Sequence, residues 1–389
     1  MGSASRMIGC WAVALSLVLI VNAPAAPADV TTERSSSILV FPKVLFDSTG
    51  TLTGTPLDTF IQISNTSNSM VFAHCFYVNA APLDPSRPAG PTNLPRWQEV
   101  DFEIFLTKQQ PTHWIVSGGR RDDPSDNKGC SVDCSSAGFD PGRVPPVGDD
   151  PFVGELKCVE VDSSGAPING NHLKGEATIV TTDAHVEVSK YNALGILGLN
   201  TDLNSNNSDN ILCLGGGASE RCPMGAEYNG CPQTVIVNHF AENASDPVID
   251  HLATDPQQVS SVSTELTLVP CTQDFENQAP SSVVVQFLVT NEFELPFSTS
   301  TTVTCWGNFR LSEIGSVGRV LEIGTLGTRF AQARLTAAGD EQPGFIGVAE
   351  EFHTKTTMAS GSLTSRAAVN LHGEGVRPRN DVITLPGAF

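Results

Sequence analysis

From Ile38 onward the apolar residues of this chain come in short runs, and none of them keeps the period of a helix. Thr59-Phe60-Ile61-Gln62-Ile63-Ser64-Asn65 shows the pattern: alternate residues are apolar, and a turn former closes the run. Such a segment has one face for a core and one for water only when extended. Gly (34) and Pro (26) recur between the runs, charged residues are 16% of the chain, and long Leu/Glu/Lys/Ala stretches are missing. These features predict short strands joined by turns.

The runs come twice in the same order. Ile38 to Val44 is a strand containing Pro42, Thr59 to Asn65 a second, and Met70 to Val78 a third around Cys75. Further on, Glu265 to Pro270, Val283 to Asn291 and Thr301 to Trp306 around Cys305 follow the same sequence of events. Pro42 and Asn65 are 23 residues apart, Pro270 and Asn291 21. Phe102 to Thr107 then pairs with Leu321 to Leu326, Pro151 to Glu155 with Pro343 to Val348, and Asn171 to Glu176 with Asn370 to Glu374. Two copies of one module are expected, at 36–190 and 258–386. About seven short strands per copy suit an immunoglobulin-like sandwich. The expected fold is therefore all-β, two tandem immunoglobulin-like β-sandwich modules, with a cysteine-containing insertion over 191–257 between them. The first copy also carries a long loop, 108–150.

The start of the chain bears on the cysteines. Arg6 precedes an apolar run from Ile8 to Val21, and Ala23, Ala25, Ala26 and Ala28 follow. This is the layout of a secretory signal peptide, expected to be cut after Ala28. The mature protein would then be extracellular, at the cell surface or in the periplasm, and its cysteines would favour disulfides. Those left are Cys75, Cys130, Cys134, Cys158, Cys213, Cys222, Cys231, Cys271 and Cys305, an odd number. If Cys75 and Cys305 are equivalent, the repeat suggests Cys75–Cys158 and Cys271–Cys305. Spacing suggests Cys130–Cys134 and Cys222–Cys231, leaving Cys213 over.

With 42 acidic against 22 basic side chains, the net charge is −20. Nucleic acid is an unsuitable partner, because phosphate binding needs clustered Lys and Arg. No later apolar segment is long enough to span a membrane as a helix.

Signatures of chemistry are sparse. There is no nucleophile elbow, phosphate loop, Cys-x-x-Cys or His-Glu-x-x-His. The histidines are scattered, and Glu350 and Glu351 are not distinguished from other acids. Asp202, Asn204, Asn206 and Asp209 resemble the opening of a calcium loop, but Cys213 stands where the closing carboxylate belongs. No other cofactor is indicated. Trp97, Trp114 and Trp306 lie in strand-like contexts that favour core packing over sugar stacking. The reading is a non-catalytic exported cell-surface, envelope or extracellular structural or adhesive protein, with surface or matrix components or its own copies as partners. The alternative is a secreted carbohydrate-active or other hydrolase with its site on the 108–150 loop or the 191–257 insertion.

Overall fold

The structure, a computed structural model, describes residues 30–84, 93–121, 140–183, 186–199, 210–252, 258–315, 319–339, 341–357 and 361–387. The protein is all-β, with 56% of the described residues in strands and 4% in helices. Its first strands are β1 (Val30–Thr31), β2 (Ile38–Phe46), β3 (Leu57–Asn65), β4 (Val71–Asn79), β5 (Gln98–Leu106), β6 (Pro111–Ile115), β7 (Phe152–Val161), β8 (Leu173–Thr181), β9 (Val188–Asn192) and β10 (Leu194–Ile196). After β11 (Ile211–Leu214) come β12 (Pro232–Phe240), β13 (Val259–Pro270), β14 (Gln273–Asp274), β15 (Ser282–Asn291), β16 (Pro296–Thr304) and β17 (Gly307–Arg310). The chain closes with β18 (Phe330–Ala337), β19 (Phe345–Thr357), β20 (Gly361–Asn370), β21 (His372–Val376) and β22 (Asp381–Thr384). The signal segment, Cys130, Cys134 and the calcium-like stretch Asp202, Asn204, Asn206 and Asp209 lie outside the described residues.

These strands form five sheets. In the first unit, the sheet β1-β10-β2-β7-β4-β5 faces the sheet β6-β3-β8-β9. Leu39, Phe41, Tyr77 and Leu156 of one sheet pack against Ile61, Ile63, Ala177 and Ile179 of the other in a single core. In the second unit, β16-β15-β18-β12-β21 faces β17-β13-β19-β20, with Val235, Phe287 and Leu335 meeting Leu266, Leu268 and Ala349. The alternation read in the sequence is what permits this. In β15 the burial runs exposed, buried, half-buried, buried, so Val283, Val285, Phe287 and Val289 all point inward. Burying each such side chain contributes about 1.5–3 kcal/mol.

The strand orders of the two units coincide. Taken in chain order, β2 to β10 and β12, β13, β15 to β21 occupy the same places. The registers agree in detail. Asn192 ends β9 and Asn370 ends β20. Three residues on, Gly195 pairs with Leu39, and Gly373 with Val235. Leu39 then pairs with Cys158, and Val235 with Leu335. Across the next strand these face Cys75 and Phe287.

That correspondence differs by one strand from the one expected from the sequence. Sequence punctuation set β2 beside β13, and Cys75 beside Cys305. In the structure β12, inside the stretch expected to be an insertion, holds the place of β2. Cys305 follows β16 and has no relation to Cys75. Of the two disulfides expected from that equivalence, Cys75–Cys158 is present and Cys271–Cys305 is not. Cys75 is bonded to Cys158, across adjacent strands with Cα atoms 4.0 Å apart. The expected Cys271–Cys305 and Cys222–Cys231 are replaced by Cys231–Cys271 and Cys213–Cys222. Cys231 precedes β12 and Cys271 follows β13, so this bridge ties the first two strands of the second unit together. Among the described residues Cys305 is the free thiol, and it is buried. In the second unit, Phe287 and Leu335 fill the positions of Cys75 and Cys158.

One difference between the units is large. The fifth sheet, β11-β22-β14, lies over the outer face of the first unit's larger sheet. Leu212, Leu214 and Ile383 join Phe275 and Tyr228 in covering Ile38, Val40, Phe76 and Val78. Every residue of β7 is consequently buried. Among the described residues no such sheet covers the same face of the second unit: Leu288 stands where Phe76 does and is 51% exposed.

Candidate functional site: the cleft between the units

Lys43 is where the two units are joined. Proline has no N–H to give to a ladder, and β2 loses register against β7 between Phe41 and Val44. The resulting bulge pushes Pro42 and Lys43 toward the second unit. Trp306 Nε1 donates to the Pro42 carbonyl (2.7 Å). The Tyr191 hydroxyl accepts from the Lys43 N–H (3.1 Å) and donates to its carbonyl (2.7 Å).

The Lys43 ammonium, 1% exposed, lies 2.8 Å from Glu265 and 2.7 Å from Glu350. Arg366 grips the other side of Glu350 through Nε and one terminal nitrogen, both at 3.0 Å. Asn308 donates to Glu265 (3.1 Å). Lys43 and Arg366 both sit over the ring of Phe352. Burial opposes charge on every member, but here each charge meets its opposite. For Lys43, attraction to Glu265 and Glu350 overcomes burial and holds its pKa up. For Glu265, burial is overcome by Lys43 and by its hydrogen bonds, and the carboxyl is held down at about 2. Glu350 is likewise lowered by Lys43 and Arg366 against its burial. A buried pair of this kind tolerates loss of neither partner.

Glu265 and Arg366 also line a cleft of about 950 Å³ between the units, together with Glu242, Trp306, Arg310 and Phe352. Hydroxyls from Thr53, Ser263 and Thr354 face the same space. Glu242 differs from the network beneath it. Its Oε1 accepts the Thr264 N–H (2.6 Å). Burial pushes its carboxyl up to about 7, partly offset by that bond and by Arg310. One cleft thus holds a carboxyl that is neutral below neutral pH and a carboxylate charged throughout the ordinary range.

Near this cleft, His353 is bracketed by Asp246 at Nδ1 (2.6 Å) and Glu351 at Nε2 (3.4 Å). Both ring nitrogens are engaged, and the cluster joins β19 to the start of the short helix α1 (Pro247–His251), which Asp246 caps. Glu350 and Glu351, undistinguished in sequence, thus point to opposite sides of β19 with separate partners. Trp97 and Trp114 are buried, and Trp306 reaches the cleft. Gly215 and Gly216 turn the chain with positive φ. Part of the 108–150 loop lies outside the described residues. The cleft residues went unread because Lys43 and Glu265 are 222 positions apart. A signal for Lys43 was present: a single lysine interrupts Ile-Leu-Val-Phe-Pro-Lys-Val-Leu-Phe.

No protein family matches the chain. No curated protein matches it either. Among solved structures it is similar to Thermotoga maritima 1070, with a TM-score of 0.23 and 6% identity over 41% of this chain and 95% of that one. It is also similar to the Cowpea mosaic virus top component, with a TM-score of 0.17 and 8% identity over 94% of this chain and all of that one. Broad Bean Stain Virus gives 0.15 and 9% over 96% of this chain. Overlaps this low carry no argument about fold or function. No helix among the described residues is long and apolar enough to cross a membrane.

Proposed function

We propose that the chain is an exported, non-catalytic structural or adhesive protein of the cell surface, envelope or extracellular matrix. It is built from two copies of one immunoglobulin-like sandwich module, over about 38–196 and 232–376. The coincident strand orders and registers support the duplication. The observation that carries the functional reading is the Lys43 network: the charges at the base of the cleft are spent on each other and fasten one copy to the next. Disulfides suit an oxidising destination and add to the same rigidity. The test is fractionation of the producing cell followed by extraction of the envelope and the medium. The protein is expected in one of these, processed after Ala28 and active in retaining beads coated with it on the matrix. Recovery as an unprocessed chain in the cytosol would refute the reading.

A second reading is favoured by one pair, Glu242 and Glu265. Glycoside hydrolysis pairs a carboxyl of raised pKa with a charged carboxylate, and an apolar ring beside them suits a sugar face. Under this reading the cleft, rather than either loop, is the site of a secreted carbohydrate-active enzyme. Turnover of an oligosaccharide panel that is lost in Glu242→Gln would establish it. A panel untouched by the wild type, with Trp306 and Phe352 unresponsive to added sugars, would end it.

A further inference from the structure

Beneath the fifth sheet, away from the cleft, three functional groups meet in the interior. Glu155 and Lys157 project from the same face of β7, and Gln273 reaches them from β14. Glu155 is 0% exposed, and Lys157 and Gln273 1% each. Gln273 Nε2 donates to Glu155 Oε1. The Lys157 ammonium nitrogen is 3.9 Å from that same oxygen and lies 5.1 Å above the ring of Phe275. Phe275 stacks on Phe76 and Trp97, which makes the walls aromatic. Among the described residues, Glu155 Oε2 and Gln273 Oε1 have no hydrogen-bond partner. This is a poor arrangement for a salt bridge. Its one ionic contact is long, and two buried oxygens are unsatisfied, each a cost of about 1–3 kcal/mol. The Lys43 network shows how the same fold satisfies a buried lysine when an ion pair is the purpose.

It is a good arrangement for a reaction. The amine and the carboxamide share one carboxyl oxygen, which holds nucleophile and electrophile together. Burial lowers the pKa of Lys157 despite Glu155 and so favours a free amine. Burial also raises the pKa of Glu155, against Lys157 and Gln273, and favours a proton-bearing acid. A buried lysine so depleted of charge is a nucleophile.

We propose that Lys157 and Gln273 become joined by an intramolecular isopeptide bond, formed by the folded chain with Glu155 as proton carrier. Lys157 Nζ attacks Gln273 Cδ, and the carbonyl electron pair moves to Oε1. Glu155, which starts as the acid, delivers its proton to Nε2 and takes one from the attacking nitrogen, and the electron pair on Oε1 returns to re-form the carbonyl. The Cδ–Nε2 bond breaks and ammonia leaves. The amine and the primary amide become one secondary amide and ammonia. No oxidant or cofactor is needed, and Glu155 ends as it began. The bond fastens β7 of the first unit to the segment that leads from β13 into the covering sheet. It does not depend on the adhesive reading.

Intact mass spectrometry of the purified, reduced and alkylated wild-type protein tests it. The expected mass is one ammonia below that of the mature sequence, and a trypsin digest should contain a single branched peptide carrying residues 157 and 273. Lys157→Arg and Glu155→Gln should each return the mass of their own sequences. A wild-type protein at its full sequence mass, with separate linear peptides for 157 and 273, overturns the proposal. A deamidated, unlinked residue at 273 also overturns it. The wild-type measurement decides the matter even if a variant fails to fold.

Discussion

The side chain of Asn370 holds both backbone groups of Asn192: its Oδ1 accepts the Asn192 N–H (3.2 Å), and its Nδ2 donates to the Asn192 carbonyl (2.7 Å). The two asparagines close equivalent strands in the two units, so like ends of like sheets meet. Asn370→Ala removes both bonds at once. It is expected to destabilise the protein by about 1–2 kcal/mol, read as a lower urea midpoint at unchanged slope. A steeper loss with a second transition would show that the units come apart before they unfold.

Replacing Lys43 strands two carboxylates in the interior. Lys43→Met is expected to cost about 3–5 kcal/mol. Adding Glu350→Gln should restore part of this, since the remaining buried charge then has fewer unmatched neighbours. Simple additivity of the two losses would mean that the network does not behave as a unit.

Two carboxyls give opposite pH responses. The pKa of Glu265 falls from 4.5 to about 2 on folding. Its contribution is complete above about pH 4.5 and is lost as the pH drops toward 2. Glu242 rises from 4.5 to about 7. Its contribution is complete below about pH 4.5 and is lost as the pH climbs through 7. Urea midpoints for the wild type should therefore decline between these two values, and Glu242→Gln should flatten that decline. Parallel profiles for the two proteins would remove Glu242 from the account.

Cys305 is 0% exposed, and burial pushes its thiol pKa up to about 12. Thiolate is the reactive form. A maleimide at neutral pH should leave Cys305 unlabelled in the native protein and modify it in urea, as read by peptide mapping. Labelling at equal rates in both states would contradict its burial.

Removing the bridge between β4 and β7 with Cys75→Ala and Cys158→Ala is expected to cost about 2–5 kcal/mol. Phe287 and Leu335 occupy the same positions without a bond, so the double variant Cys75→Phe and Cys158→Leu should recover part of the loss through packing.

Some of this architecture was legible in the sequence, for physical reasons. Alternation along Thr59 to Asn65 or Val283 to Asn291 reports directly which side chains face a core, so strands could be read locally. The order of strands could not. Pro42 and Pro270 punctuate strands in different places of the two units, so matching on such marks is out of step by one strand. The first strand of the second unit, Pro232 to Phe240, follows a cysteine-rich stretch, and so its sequence reads as part of an insertion between the units. Cys271–Cys305, which rested on this register, is not formed, whereas Cys75–Cys158 is. The cleft was illegible for another reason: Lys43, Glu265, Glu350 and Arg366 acquire meaning only across the junction, where sequence distance is no guide. Lys157, inside the buried strand Phe152–Val161, was the kind of anomaly that a sequence does display.

The covering sheet of the first unit has a consequence for how such molecules meet. Two surfaces of common design are finished differently, one roofed by β11, β14 and β22, the other left open with Gln286, Leu288 and Gln332 facing outward. The molecule therefore has a head and a tail. A contact made by the open face has no matching open face at the opposite end, so any chain of these molecules built through it must run in one direction.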